Sequence, residues 1–214
     1  MFRSRAVRLK AYVALVAAHQ QSPPRRRMLG LLSGLIAVAF LVPSGPAAAA
    51  TILIPPNNVF VGTAYAELST AWWQYTLSIP KATSPFFDAT GASRAAHQNP
   101  ESPVFFLVGS LDSAPVQRNA CNVPFGKALF FPLVNIVDIN VTNQSAADLR
   151  TEIRGRYDTG ASAFATIDGV TLIGPSNFTG FRTRSTSFSV TLPVGNLFTP
   201  GLPAGAYTNL STST

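Results

Sequence analysis

The chain has 214 residues, with sixteen Lys and Arg against nine Asp and Glu, a formal net charge of +7. Seven of those bases (Arg3, Arg5, Arg8, Lys10, Arg25, Arg26, Arg27) and none of the acids fall in residues 1–50, so residues 51–214 hold nine of each and are formally neutral. That balance excludes a nucleic-acid partner, which needs a basic surface to displace phosphate counterions, and the single cysteine, Cys121, excludes an intramolecular disulfide.

Residues 2–20 resemble a basic amphipathic helix. Arg25, Arg26 and Arg27 precede the apolar run Met28 to Val42, the helix breakers Pro43 and Pro46, and the small residues Ala47 to Ala50. This is the order of a signal peptide, and an apolar run of about 15 residues is shorter than the roughly 20 that span a bilayer. The two arginines with Met28 and Leu29 also look like a twin-arginine signal, although Pro24 stands where that motif prefers Ser or Thr. The expectation is a leader over 1–50, its first 27 residues an upstream extension, and export to the periplasm or beyond with no stable membrane anchor after cleavage. Residues 51–214 then form a single β-rich domain, large enough to bury a core without disulfides.

In that domain Ile52 to Ile54 is a short strand-like run closed by Pro55 and Pro56. Tyr65, Leu68, Trp72, Tyr75 and Ile79 follow at helical spacing, one aromatic stripe on a helix with Thr63 as N-cap and Pro80 as stop. Trp73 lies about 100° around that helix from Trp72, so both indoles are not expected at the centre of its buried face. Pro80 to Pro103 reads as a long irregular connection, a kind of loop that is often functional. Val104 to Gly109, Ala128 to Phe131 and Leu133 to Val141 are β-forming runs, with Pro132 at a strand end.

Ser145 opens a second helix with Asp148 in the capping-box position and Leu149, Ile153 and Tyr157 on its apolar face. Asp168 and Gly169, between Ala163–Ile167 and Val170–Ile173, form the strongest hairpin signal, and Ser187 to Leu192 alternates as a half-buried strand does. Strands outnumber helices and no βαβ rhythm appears. The expected fold is mainly β, an antiparallel sandwich of jelly-roll type with two attached helices.

Five features invite a chemical reading. Trp72 and Trp73 either stack on a sugar ring or pack in the core. Gln74 beside them, and Arg118 and Lys127 further on, extend the candidate ligand-binding set, the two bases as anion contacts. Asp88, His97 and Glu101 share one irregular segment and are the candidates for acid–base or metal chemistry, although no recognised metal spacing such as H-E-x-x-H is present. Cys121 is a candidate nucleophile only with His97, and no serine lies in G-x-S-x-G. No cofactor fingerprint occurs, so none is expected.

Taken as a set, Trp72-Trp73-Gln74-Tyr75 with Ser78-Ile79-Pro80, Val104 to Gly109, Val123-Pro124 with Gly126 to Pro132, Ile167-Asp168-Gly169 and Phe188 to Pro193 resemble a group of exported bacterial proteins of uncharacterised function. The resemblance covers about residues 60 to 200 and implies no reaction, substrate or catalytic residue. Members of that group look as though they continue into further strand-forming sequence, whereas the polar Asn209 to Thr214 reads as lacking a closing strand, so a truncated reading frame is expected. The functional expectation is an exported, non-enzymatic module that binds a carbohydrate or other envelope component through Trp73 and the 80–103 loop. A hydrolase or metal-dependent enzyme built on Asp88, His97 and Glu101 is the alternative.

Overall fold

The computed structural model describes residues 11–12, 15–18, 52–55, 58–111, 117–140, 144–158, 165–167, 170–173 and 186–213. In chain order the elements are β1 (Ala11–Tyr12), β2 (Leu15–Ala18), β3 (Ile52–Leu53), α1 (Tyr65–Leu77), β4 (Val104–Phe106), β5 (Ala128–Phe131) and β6 (Val134–Asp138). They continue with α2 (Ala146–Asp158), β7 (Ala165–Ile167), β8 (Val170–Ile173), β9 (Thr186–Leu192) and β10 (Gly205–Ser213). One sheet runs β1-β6-β10-β9 with antiparallel neighbours, a second runs β3-β2-β5-β4, and β7 and β8 form a hairpin.

The expected sandwich is not formed. The strands are short, β4 runs parallel to β5, and no sheet closes over the other face to face. Helix α1 takes the place of a second sheet. Seven of its thirteen residues are buried, among them Tyr65, Leu68, Trp72, Trp73 and Leu77. These side chains share one apolar cluster with Val104 of β4, Phe130 of β5, Val137 of β6, Phe188, Val190 and Leu192 of β9, and Leu210 of β10. A helix buried over so wide an arc supplies the layer that strand counting assigns to a sheet.

The start of α1 falls one residue beyond the expected cap. Ala64 occupies that position, and its N–H donates to Glu67 Oε2 at 2.9 Å, so a first-turn carboxylate does part of the capping work. Helix α2 begins as read: the Asp148 N–H donates to Ser145 Oγ at 3.1 Å and the Ser145 hydroxyl donates to Asp148 Oδ2 at 2.7 Å. Its Leu149 and Ile153 are fully buried, and the helix packs on β10 and β6. Strand β9 alternates as its sequence requires, with Phe188, Val190 and Leu192 inward and Ser187, Ser189 and Thr191 outward.

Two further expectations are corrected. The polar C-terminal stretch is the longest of the described strands, β10, and lies between β6 and β9 rather than at an edge; its Tyr and Thr are good strand formers, and its Leu210 is fully buried. Within residues 2–20 the described segments are extended, with β1 paired to β6 and β2 to β5, and not helical. The arginine triplet, the apolar run Met28 to Val42 and the turn residues Asp168 and Gly169 lie outside the described residues, although Ile167 pairs with Val170 as a two-residue hairpin loop requires. No helix among the described residues is long and apolar enough to cross a membrane.

Both indoles of α1 are completely buried, their rings edge-to-face with centroids 5.0 Å apart. The Trp72 Nε1–H donates to the Leu107 carbonyl at 2.8 Å, just beyond β4, while the Trp73 Nε1–H donates to Asn135 Oδ1 on β6 at 2.9 Å. Replacing Trp73 by Phe leaves the buried Asn135 oxygen without this donor and opens a void. The expected loss is about 2 kcal/mol of stability, read as a lower urea midpoint with unchanged slope.

Candidate functional site

A groove of about 690 Å³ opens beside α1. Leu68, Ala71, Gln74 and Tyr75 of α1 and the adjoining Ser78 line it, together with His97, Gln98, Asn99, Ser102, Pro103, Val104 and Phe106. Ser189, Val190 and Thr191 of β9 close one side, and Phe60 and Thr63 also line it. Among the described residues the lining contains no Asp, Glu, Lys or Arg. Tyr75 and Phe106, both in this lining, lie ring to ring at 5.6 Å.

Two glutamines shape the groove by binding strand backbones. Gln98 reaches across to β4, where its Nε2 donates to the Phe106 carbonyl at 2.7 Å and its Oε1 accepts the Phe106 N–H at 3.0 Å. The same amide donates to Tyr75 Oη at 3.1 Å and to the Arg94 carbonyl at 3.2 Å. Gln74 Nε2 donates to the Ser189 carbonyl on β9 at 3.0 Å. Because β4 and β9 are the outer strands of their sheets, these side chains satisfy backbone groups that a neighbouring strand would otherwise take.

The rim next to α1 carries backbone strain. Phe60 and Thr63 exchange both backbone hydrogen bonds across Val61 and Gly62, whose φ angles are 49° and 78°. Positive φ at both central residues defines a hairpin turn that favours Asn-Gly, and a β-branched residue fits its first position poorly. Val61 is nevertheless there and 68% exposed. Val61→Asn is expected to raise stability by about 1 kcal/mol, measured as a higher thermal midpoint.

Most candidate residues stand elsewhere. Trp72 and Trp73 offer no stacking face, because both are enclosed by the core and committed to their hydrogen bonds; exposure of Trp73 at a contact surface is therefore corrected. Arg118 is a brace and not a free anion contact: its guanidinium donates to the carbonyls of Asp88 at 2.7 Å, Phe86 at 3.3 Å and Gly109 at 3.3 Å. Lys127 Nζ donates to the carbonyls of Pro100 and Ser102, tying the 99–103 turn to the start of β5. Only Gln74 of the expected binding set lines the groove.

Of Asp88, His97 and Glu101, only His97 lines the groove. Asp88 organises its own loop: Oδ1 accepts the N–H and hydroxyl of Thr90 and the N–H of Gly91, and Oδ2 accepts the N–H and hydroxyl of Ser93, at 2.7–2.9 Å. Partial desolvation opposes its ionisation, but the donors from Ser93, Thr90 and Gly91 outweigh that and hold its carboxyl well below the usual carboxylate range. His97 is exposed on the groove wall, and Glu101 is exposed in the turn held by Lys127. Among the described residues no group of three His, Cys, Asp or Glu side chains is placed to hold a metal ion.

The depressed Asp88 carboxyl makes the loop acid-sensitive. Its folded pKa lies below the unfolded value, so the stabilisation is present at neutral pH and is lost as pH falls below the ordinary Asp range towards the folded pKa. Urea midpoints between neutral pH and strong acid are expected to fall less steeply in Asp88→Asn than in the parent, from a lower neutral value.

One side chain missed in the sequence stands behind the groove. Arg94, on the 3-10 turn Ala92–Ala95, is 4% exposed, and desolvation by burial, with Arg118 adding repulsion, pulls its pKa down to about 10. Nothing about an arginine between Ser93 and Ala95 in a polar, irregular segment marks it as buried. Comparison with family models, with curated proteins and with solved structures gives no match. The resemblance to exported bacterial proteins rests on its motifs alone.

Proposed function

We propose that this chain is the precursor of an exported, non-enzymatic module that binds an uncharged, polyhydroxylated ligand, a glycan of the cell envelope, in the groove between α1, residues 97–106 and β9. The observation that carries this reading is the lining itself: amides, hydroxyls and one imidazole around Tyr75, Phe106 and Phe60, without a charged carboxylate, ammonium or guanidinium group. Sugars bury their C–H faces on aromatic rings and satisfy hydroxyls with side-chain amides, and such a lining supplies both. The leader, with its basic start and apolar run, supports delivery outside the cytoplasm.

The groove replaces Trp73 as the contact surface. A bulky side chain at Ala71, on the α1 wall, fills the space without touching the Trp72 and Trp73 hydrogen bonds. Ala71→Trp is expected to weaken binding of the best glycan from an array screen of the full chain by at least about tenfold, equivalent to about 1.4 kcal/mol, with a thermal midpoint close to the parent. Unchanged glycan affinity in this variant, or an array on which the parent binds nothing, contradicts the reading.

A further inference from the structure

The groove changes its chemistry along α1. Leu68, Ala71, Gln74 with Tyr75, and the adjoining Ser78 recur every three or four residues, so they form one stripe that follows the groove for about 15 Å. Near the start of the helix the stripe is apolar, with Leu68 and Ala71, and Phe60 and Thr63 join it from the turn that leads into α1. Near the end of the helix it is polar. There Gln74 and Ser78 flank the Tyr75 ring, and Gln98 donates to the Tyr75 hydroxyl.

The turn at the apolar end is poorly explained by the fold alone. Val61 holds a φ of 49°, where a β-branched side chain is strained, and it is 68% exposed, so no burial offsets the strain. Val59, two residues earlier, is 65% exposed. Between them Phe60 lines the groove and packs against the core. The fold therefore uses only the middle one of three consecutive apolar residues. Strained positions persist where a ligand uses them, and exposed apolar side chains beside a pocket mark a surface that something covers.

We propose that the ligand of this groove is a neutral glycolipid, with its sugar head at the Gln74–Tyr75–Gln98 end and the start of its alkyl chain running past Ala71 and Leu68 to the Val59–Val61 turn. This rests on the glycan reading of the same groove and adds the chain to it. Charge selects the class of head group. Among the described residues the lining offers no Lys or Arg to a phosphate or a fatty-acid carboxylate, and no Asp or Glu to a cationic head. An uncharged head enters such a groove without leaving a desolvated charge unpaired. The chain then covers Val61, and the methylenes removed from water offset the strain that the turn holds.

Methyl β-D-glucoside and octyl β-D-glucoside share one head and differ in the chain, and calorimetric titration of each into the full chain, below the micelle concentration, provides the test. The octyl compound is expected to bind at least about tenfold tighter. Val61→Asn is expected to weaken octyl glucoside binding by about threefold or more, to leave methyl glucoside binding unchanged and to raise the thermal midpoint. A valine with only a structural role would not lose affinity as stability rises. Equal affinity for the two glucosides in the parent overturns the inference and leaves the glycan reading standing, whereas binding of neither overturns both. Octanol bound as tightly as octyl glucoside also overturns it, because the sugar head then contributes nothing. These three outcomes are read on the parent protein. Octyl glucoside affinity unchanged in Val61→Asn overturns the placement of the chain against the turn.

Discussion

Two adjacent tryptophans on one helix, both buried and both obliged to donate an indole N–H, set the architecture. Consecutive positions on a helix point about 100° apart, so Trp72 and Trp73 cannot address the same partner. Trp72 donates to Leu107, after β4, and Trp73 to Asn135 on β6. Each bond holds α1 to a different sheet. The edge-to-face contacts of Trp72 with Trp73 and with Phe86 extend this anchorage into the loop that follows the helix.

The groove follows from that placement. A helix held against both sheets leaves its Leu68–Ala71–Gln74–Tyr75 face beside two outer strands, β4 and β9. Their unpaired backbone groups would invite another strand. Gln98 occupies both hydrogen-bonding groups of Phe106, and Gln74 takes the Ser189 carbonyl, so the space between them stays open as a cleft lined by side chains. The bases follow the same economy of purpose: Arg118 and Lys127 close loops by binding carbonyls, which leaves the groove itself uncharged.

Much of the local structure was legible. The 3-4 spacing from Tyr65 to Tyr75, the Ser145/Asp148 cap, the two-period alternation of Ser187 to Leu192 and the pairing of Ile167 with Val170 each report a short-range rule that packing did not override. The layer arrangement was not. Periodicity marks the centre of the buried stripe on α1 but not its width, and Trp73, Ser69, Thr76 and Leu77 widen it until the helix serves as a layer. The sandwich expectation failed for that reason. The polarity of Gly205 to Ser213 concealed a strand whose Thr and Tyr residues form β-structure as readily as apolar ones do. The groove draws on α1, the 97–106 segment, β9 and the Phe60 turn, so no sequence window contains it. Gln74 and His97 were visible as candidates, whereas Arg94 carries no local mark of burial.

The chain has only these two tryptophans, both on α1, which makes their fluorescence a direct readout of the central claim. Acrylamide quenching of the folded full chain, with and without a bound glycan, tests it most directly. The account predicts blue-shifted emission, quenching far weaker than in urea, and no change in quenching when the groove is filled. A red-shifted, readily quenched indole that becomes protected on glycan binding would contradict it and return the contact surface to Trp73.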